Sequence, residues 1–424
     1  MNLKYRRLKG TRDIMLEEME RLRWCEERWF EVLSRYGYGE IRTPIIEPTD
    51  LFLRSVGEGT DIVDKEMYTF ETKGGESLTL RPEMTASVVR AYLENGLTRQ
   101  PGTVKFSYLG PMFRHDRPQA GRYRQFHQLG VEALGSDSPV LDAEVIQTAM
   151  ALLEAVDARG VSVHVNSIGC PVCRPAYLED LKVYLKENLD LIPESMQGRI
   201  DINPLRLFDA KDDGVAELLA GFKPISDALC ADCRAHHAVV LRLLEKLDVP
   251  FVNDPGLVRG LDYYSRTTFE ITALSGRKQS SLAGGGRYDY LVEQCGGPPT
   301  PAIGFSIGVE RTLLHLDDET VDPQRSRQTI VDVYVACRDL ASQEYALGAT
   351  EVLRGLCRVE VDTSGRSLKA QAKGANLRQA RIMLVIGEEE ISAGMVQLKY
   401  LETGEQRQVP VGSLMGAVRE VLEG

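Results

Sequence analysis

No stretch of about 18 residues in this sequence is both free of charge and predominantly apolar, so no transmembrane helix is expected. The start, MNLKYRRLKGTRD, is basic but leads into no apolar run, and acids follow from Asp13. Neither a secretory signal nor a transit peptide is therefore expected. Cysteine is sparse, 8 in 424 residues, too few for a disulfide scaffold, and a reducing cytoplasm is the expected compartment. Tandem repeats, heptad arrays and low-complexity tracts are missing. So are GxxxxGK[ST] and a strand–GxGxxG–helix fingerprint, which excludes two common nucleotide cradles. The dense glycine cluster at 284–286 reads as well as a tight turn as it does as a binding loop.

What remains is ordinary for a globular protein: 43% apolar and 27% charged residues. The length suits about three domains. The net charge of −11 excludes a uniformly basic coat for nucleic acid but leaves room for a local basic site.

Periodicity divides the chain. Met15, Met19, Leu22, Cys25, Trp29, Phe30, Leu33 and Tyr36 recur at steps of three and four and predict a helix over 8–36. GEIRTPIIEPTDLF (39–52) reads as a β-type run broken by two prolines, an edge or interface strand. SLTLRPEMT (77–85) predicts a strand entering a helix. TVKFSYLG (103–110) and QFHQLGVEALG (125–135) predict a hairpin with a long charged turn. A helix over 139–159 and a strand over 161–166 follow. Residues 170–250, with two CxxC pairs and charged helices, read as an insertion. Strands resume at 258–272 and 281–291, and GFSIGVERTLLHL (304–316) predicts a helix. A polar linker at 317–329 leads to a βαβα pattern, a small α/β domain. The organisation expected is a body over 1–325, with an insertion at about 170–250, and a second domain over 326–424.

Four clusters stand out. The first is GPMFRHDRPQAGRYRQFHQLGVE (110–132). Five Lys or Arg against one Asp lie between residues 101 and 130. Arginine grips phosphate through a planar fork, so this turn reads as a phosphate site. On the returning strand Phe126, Gln128 and Glu132 share parity, which makes one side a floor for a base and a small polar ligand. The bland alternative is a solvated hairpin. The second is GFSIGVER, where Gly304, Gly308 and Arg311 would form one helical stripe, or a close packing contact with a surface Arg. The third is VRGLDYYSR (258–266), with Arg259, Asp262, Tyr263 and Tyr264, or else a salt-bridged turn with two core tyrosines. The fourth is LRPEMT (80–85), whose Glu83 could equally be a helix N-terminal acid.

Cys170, Cys173, Cys230 and Cys233 could hold a tetrahedral structural zinc. The long segment between the pairs exceeds that of a compact ribbon, and buried or free thiols is the preferred reading. His236 and His237 read as solvent-facing rather than as ligands.

In this order the clusters resemble those of class II aminoacyl-tRNA synthetases, and more narrowly bacterial histidyl-tRNA synthetases. GEIRTPIIEPTDLF is similar to the dimer-forming first motif, GPMFRHDRPQAGRYRQF to the second and PAIGFSIGVER to the third. VRGLDYYSRTTFE and SLAGGGRYD resemble the histidine-specific signatures. The resemblance implies an α+β fold: an antiparallel catalytic sheet, an inserted helical domain and a C-terminal α/β anticodon-binding domain. It implies a histidine–tRNA ligase that uses ATP with Mg²⁺, takes L-histidine and tRNA(His), and forms a homodimer. Arg114 and Arg259 would be catalytic. Glu83, Met84, Thr85, Gln128, Glu132, Arg259, Tyr263 and Tyr264 would bind histidine, and Arg114, Phe126 and Arg311 would bind ATP. Arg117, Gln119 and Arg122 would meet the tRNA end, and Lys369 and Lys373, on a basic helix spanning 366–381, the anticodon stem. A relative of another class, the non-catalytic regulatory subunit of ATP phosphoribosyltransferase, typically lacks the last domain and breaks the arginine motifs that are intact here.

Overall fold

The computed structural model describes residues 4–15, 17–57, 60, 62–208, 212–258, 263–273, 280–316 and 331–423. The chain forms two compact units, Met1–Thr320 and Val321–Gly424. The expected linker at 317–329 lies outside the described residues.

In the first unit the strands are, in chain order, β1 (Gly39–Glu40), β2 (Ile46–Pro48), β3 (Tyr68–Glu71), β4 (Ser77–Leu80), β5 (Val104–Phe113), β6 (Gln125–Leu134), β7 (Val161–Ser167), β8 (Phe251–Asn253), β9 (Ser265–Ala273), β10 (Ser280–Arg287) and β11 (Ala302–Gly308). Eight of them form one sheet, ordered β1-β5-β6-β11-β10-β9-β7-β8, and three form a smaller one, β2-β4-β3. The large sheet is antiparallel except at its two edges, where β1 joins β5 and β8 joins β7 in parallel.

Alternation along the strands gives the large sheet two different faces. Leu129, Val131 and Ala133 of β6 and Ile303 and Ile307 of β11 are fully buried in the main core. That core is closed by helices Glu17–Arg35, Pro139–Ala155 and Ala231–Lys246, which contribute Trp29 and Leu33, Ile146 and Leu152, and Val240 and Leu244. Burying each such side chain stabilises the fold by about 2 kcal/mol. The Trp29 indole N–H donates to the Leu152 carbonyl at 3.1 Å, so the one polar atom of this large ring is satisfied. The other face of β6 carries Phe126, Gln128 and Glu132, the last fully buried.

A buried charge network locks the sheet to its helices. Arg287, at the end of β10 and fully buried, donates through Nε to Asp142 at 3.0 Å and through Nη1 to the Ser136 carbonyl and Asp289 at 2.9 Å. Asp142 also bonds His236 Nε2 at 2.7 Å. Burial alone would raise the Asp142 carboxyl, but the His236 bond and the Arg287 charge outweigh it and hold it below the usual range.

Four sequence expectations need correction. Helix 8–36 is Glu17–Arg35, and residues 4–15 are not helical, with Gly10 at φ +86°. The run 39–52 holds only the short strands β1 and β2, and Thr49–Val56 is a helix that buries Phe52 completely. The stretch 304–316 is not one helix. Ala302–Gly308 is strand, because Ile303, Phe305 and Ile307 repeat every second residue, and the helix is only Val309–His315. His236 and His237 are buried, His237 bonding Asn253 at 3.0 Å, because the helix Ala231–Lys246 packs against the body.

In the second unit the strands are β12 (Val333–Cys337), β13 (Val359–Val361), β14 (Ile382–Ile386), β15 (Met395–Tyr400) and β16 (Gln406–Pro410), ordered β13-β12-β14-β15-β16. The first three are parallel, as βα alternation predicts. Val333, Val335, Leu384, Leu398 and Leu414 are among its fully buried core residues. The basic helix is Leu368–Leu377, capped by the Ser367 hydroxyl. Three of the flanking arginines serve their own unit: Arg366 meets Asp362 at 3.6 Å, Arg378 pairs with Glu360, and Arg381 donates to the Leu422 carbonyl at 3.1 Å. Lys369 and Lys373 are exposed.

Candidate active site

A cavity of roughly 360 Å³ lies over the polar face of β6, β10 and β11. Among the residues around it are Glu83, Met84, Thr85, Arg114, Arg122, Phe126, Gln128, Tyr263, Tyr264 and Arg311, so most of the sequence candidates meet in one place. Arg259 and Asp262 lie outside the described residues. Arg117 and Gln119 are exposed on the loop beyond the hairpin, and Lys369 and Lys373 belong to the other unit.

One end of the cavity is acidic and aromatic. Glu83 precedes the helix Thr85–Glu94 and accepts the amides of Thr85 and Ala86 at 2.7 and 2.9 Å. It therefore caps the helix and also lines the cavity. Its burial raises the carboxyl above the usual range, against the pull of those two amides. Glu132 is fully buried beside it. One carboxylate oxygen accepts from Thr85 Oγ1 at 2.8 Å and Tyr108 Oη at 3.3 Å, and the other from Tyr288 Oη at 2.5 Å. Desolvation pushes the Glu132 carboxyl up to about 8, although its hydroxyl donors pull the other way. Tyr263 packs edge-on against Tyr264 and Tyr288, with ring centroids 4.8 and 5.7 Å away.

Glycine makes this crowding possible at two positions. A Cβ on Gly304 of β11 would sit 1.9 Å from Glu132 Oε2, and one on Gly130 of β6 would sit 2.4 Å from Tyr108 Oη. Gly304 is thus read correctly as a position of close approach, but on a strand instead of a helix.

Arg114 and Arg311 bring positive charge to the same cavity. Arg114 leaves β5 at its end, and its Nε donates to the Pro82 carbonyl at 2.8 Å. Its guanidinium lies 5.3 Å from the Phe126 ring centroid. Burial lowers its pKa, while Glu66 and Glu83 favour the charged form. Arg311 holds the Ser281 carbonyl through Nη1 at 2.9 Å and reaches Gly121 of the loop. Gln128 donates to Ser306 at 3.2 Å. Arg122 pairs with Asp116 at 3.2 Å and bridges back to Gln119, which folds the loop on itself. Such a site offers aromatic stacking, fixed guanidinium groups for phosphate, and buried carboxylates for a ligand rich in N–H donors.

Sequence reasoning missed Tyr108, Tyr288, Glu66, Glu310, Arg199 and Arg206, which all line the cavity. Tyr288 stands inside the SLAGGGRYD signature and Tyr108 has the right parity on β5, so both left a signal. Arg199 and Arg206 come from the insertion, distant in sequence and in no motif.

The four cysteines also converge. Their sulfurs all lie within 4.8 Å of one another, with Cys170–Cys173 at 3.8 Å and Cys170–Cys230 and Cys173–Cys233 at 3.9 Å.

Comparison with known proteins bears on the whole chain. The family model for histidyl-tRNA synthetase matches residues 10–173 and 210–312, and that for an anticodon binding domain matches 332–421. The histidine–tRNA ligase of Desulforamulus reducens is 46% identical over 409 residues, covering 96% of this chain and 97% of the relative. That of Pelotomaculum thermopropionicum is 46% identical over 420 residues, covering 99% and 98%. Among solved structures, the apo histidyl-tRNA synthetase of S. aureus superposes with a TM-score of 0.80 at 33% identity, over 98% of this chain and 100% of that one.

Proposed function

The chain belongs to the histidyl-tRNA synthetase family, and from that premise we propose how its residues carry out the reaction. It is an ATP-dependent aminoacyl-tRNA ligase of class II fold, a histidine–tRNA ligase with a C-terminal anticodon-binding domain. The near full-length ligase relatives and the anticodon domain favour this reading over a non-catalytic regulatory subunit.

The single observation that carries the mechanism is one cavity lined by Arg114, Phe126, Arg311, Glu83, Thr85 and Tyr264, with Glu132 buried behind Thr85. Adenine stacks on Phe126, Arg311 takes the triphosphate tail and Arg114 the α-phosphate. Gln128, with Glu83 and Thr85, holds the ammonium of histidine, while Glu132 and Tyr264 read its imidazole, with Met84 and Tyr263 as walls. The histidine carboxylate, already ionised at neutral pH, attacks the α-phosphorus. A carboxyl O–P bond forms, the bond to the β-phosphate oxygen breaks, and pyrophosphate leaves with its electrons. The terminal ribose hydroxyl of the tRNA then attacks the carbonyl carbon of the adenylate and AMP leaves. The site needs no nucleophilic side chain, and its work is positioning and neutralising charge. Arg259, from the segment carrying the histidine signature, is proposed to neutralise the developing charge.

Mg²⁺ use follows the family in general. The ion is read as arriving with the nucleotide rather than held in a protein cage. For Cys170, Cys173, Cys230 and Cys233 the reading is one structural zinc, since four thiolates suit its tetrahedral preference.

Arg117, Gln119 and Arg122 contact the acceptor end of tRNA(His), and Lys369 and Lys373 its anticodon stem. Replacing Lys369 and Lys373 together by Ala is expected to lower kcat/KM for tRNA charging about tenfold and flatten its salt dependence. Histidine-dependent ATP–pyrophosphate exchange should stay at the wild-type rate, and a parallel fall in both assays would refute the assignment.

A homodimer is supported by the exposed apolar pair Ile45 and Ile46 in the first motif. Ile45→Glu with Ile46→Glu should weaken self-association by about 100-fold or more, read by sedimentation equilibrium. No described helix is long and apolar enough to cross a membrane, and the compartment proposed is the cytoplasm.

A further inference from the structure

We infer that the four-cysteine zinc site is a positioning device for the histidine pocket, closing the neck of the insertion and fixing the strand end that carries Tyr263 and Tyr264. This inference rests on the zinc reading above.

The geometry of the sulfurs suits a metal. A zinc–sulfur bond of about 2.3 Å in a tetrahedron sets sulfurs about 3.8 Å apart. Three of the six separations, 3.8, 3.9 and 3.9 Å, match that spacing, and all six are within 4.8 Å. They are far above the roughly 2.05 Å of a disulfide. Three of the four cysteines are buried. Cys173 and Cys230 are the N-caps of helices Arg174–Glu187 and Ala231–Lys246, so two helix N-termini face the thiolate charge. The Cys170 amide donates to Cys173 Sγ at 3.3 Å, an outer contact that orients a ligand sulfur. Gly169, at φ +71°, leaves room for that sulfur, and a Cβ there would sit 2.8 Å from Cys173 Sγ.

The site then leads directly to the pocket. Between Cys173 and Cys230 lies most of the insertion, so a metal joining them fixes both of its ends. Arg199 and Arg206, which line the cavity, lie within that closed segment. On the Cys170 side, the Ile168 amide donates to the Arg266 carbonyl and the Arg266 amide to the Gly169 carbonyl, both at 2.8 Å. Arg266 itself adopts a left-handed conformation, φ +52°, which its neighbours must enforce. Arg174, next to Cys173, donates through Nη1 to the Tyr264 carbonyl at 2.8 Å. Tyr264 and Tyr263 line the cavity beside Glu132. Metal, helix start and Arg174 thus form one continuous support behind the imidazole reader. Losing it should loosen histidine binding while leaving the ATP end, held by Arg114 and Arg311, as it was.

The test uses the purified full-length chain and two variants, Cys230→Ser and Arg174→Met. Zinc is measured by inductively coupled plasma mass spectrometry, and KM and kcat by pyrophosphate exchange. The wild type should carry about one zinc per chain and Cys230→Ser little. Both variants should raise the KM for histidine by about tenfold with the KM for ATP within about twofold, Arg174→Met while keeping its zinc. Arg174→Lys, which restores a donor, should recover part of the loss. A wild type without zinc, tested also after incubation with Zn²⁺, would overturn the metal reading itself. Zinc present with an unchanged histidine KM in Arg174→Met would leave the metal reading standing and overturn the positioning role.

Discussion

Arg114→Ala is expected to lower kcat for histidine-dependent ATP–pyrophosphate exchange by roughly 10³-fold. The side chain sits where the two substrates must join, its Nε held by the Pro82 carbonyl at 2.8 Å and its guanidinium near the Phe126 ring. That anchoring fixes the fork before substrate arrives, so little reorganisation is needed as charge builds on the phosphoryl oxygens. Alanine removes the charge and the fork together. Arg114→Lys keeps the charge but loses the planar geometry, and should recover only part of the loss. Because Arg114 contacts solvent-open cavity and is not in the main core, the melting temperature should move by only a few degrees. Exchange within about tenfold of wild type in Arg114→Ala would count against its role.

The second large effect is at Glu132. Glu132→Gln should reduce kcat/KM for histidine on the order of 100-fold, since the amide cannot present the two acceptor oxygens that the Thr85, Tyr108 and Tyr288 hydroxyls hold in place. The change is nearly isosteric, so Gly304 still clears the side chain and the fold survives. The variant also has a distinctive pH signature. Glu132 is pushed up to about 8 by burial, so the folded chain binds a proton that the unfolded chain has released above its ordinary 4.5. Its contribution to stability is complete below that ordinary value and is lost as pH rises through about 8. Wild-type stability should therefore fall relative to Glu132→Gln from the carboxyl's ordinary 4.5 up to about 8 and level off above that, read by thermal melts with no substrate present. Parallel curves for the two proteins would contradict a Glu132 carboxyl raised by burial.

Much of this was legible in sequence because local pattern and tertiary role agree. The β5–β6 hairpin shows as alternation with a charged turn, and its parity alone puts Phe126, Gln128 and Glu132 on one face. The second unit shows as strand and helix in alternation. The failures have physical causes. Glycines at 304 and 308 mimic a helical stripe, and only the buried Ile303, Phe305 and Ile307 reveal a strand. Thr49–Val56 follows directly on a proline-broken β-type run, and its apolar residues Leu51, Phe52 and Leu53 suit the helix that buries Phe52. The cysteine pairs are distant in sequence and meet only because the insertion returns to its starting point. Arg199 and Arg206 follow the same return, and no local signal could announce them. His236 and His237 look polar in sequence but are buried where their helix packs on the body, with their Nε2 atoms bonded to Asp142 and Asn253.

The central claim is that one cavity selects histidine and joins it to an adenylate. Pyrophosphate exchange with the purified chain, ATP and Mg²⁺, run in turn with each standard amino acid, tests it most directly. The account predicts exchange with histidine and only background with every other amino acid. Background exchange with histidine, or equal exchange with an amino acid lacking an imidazole, would contradict it.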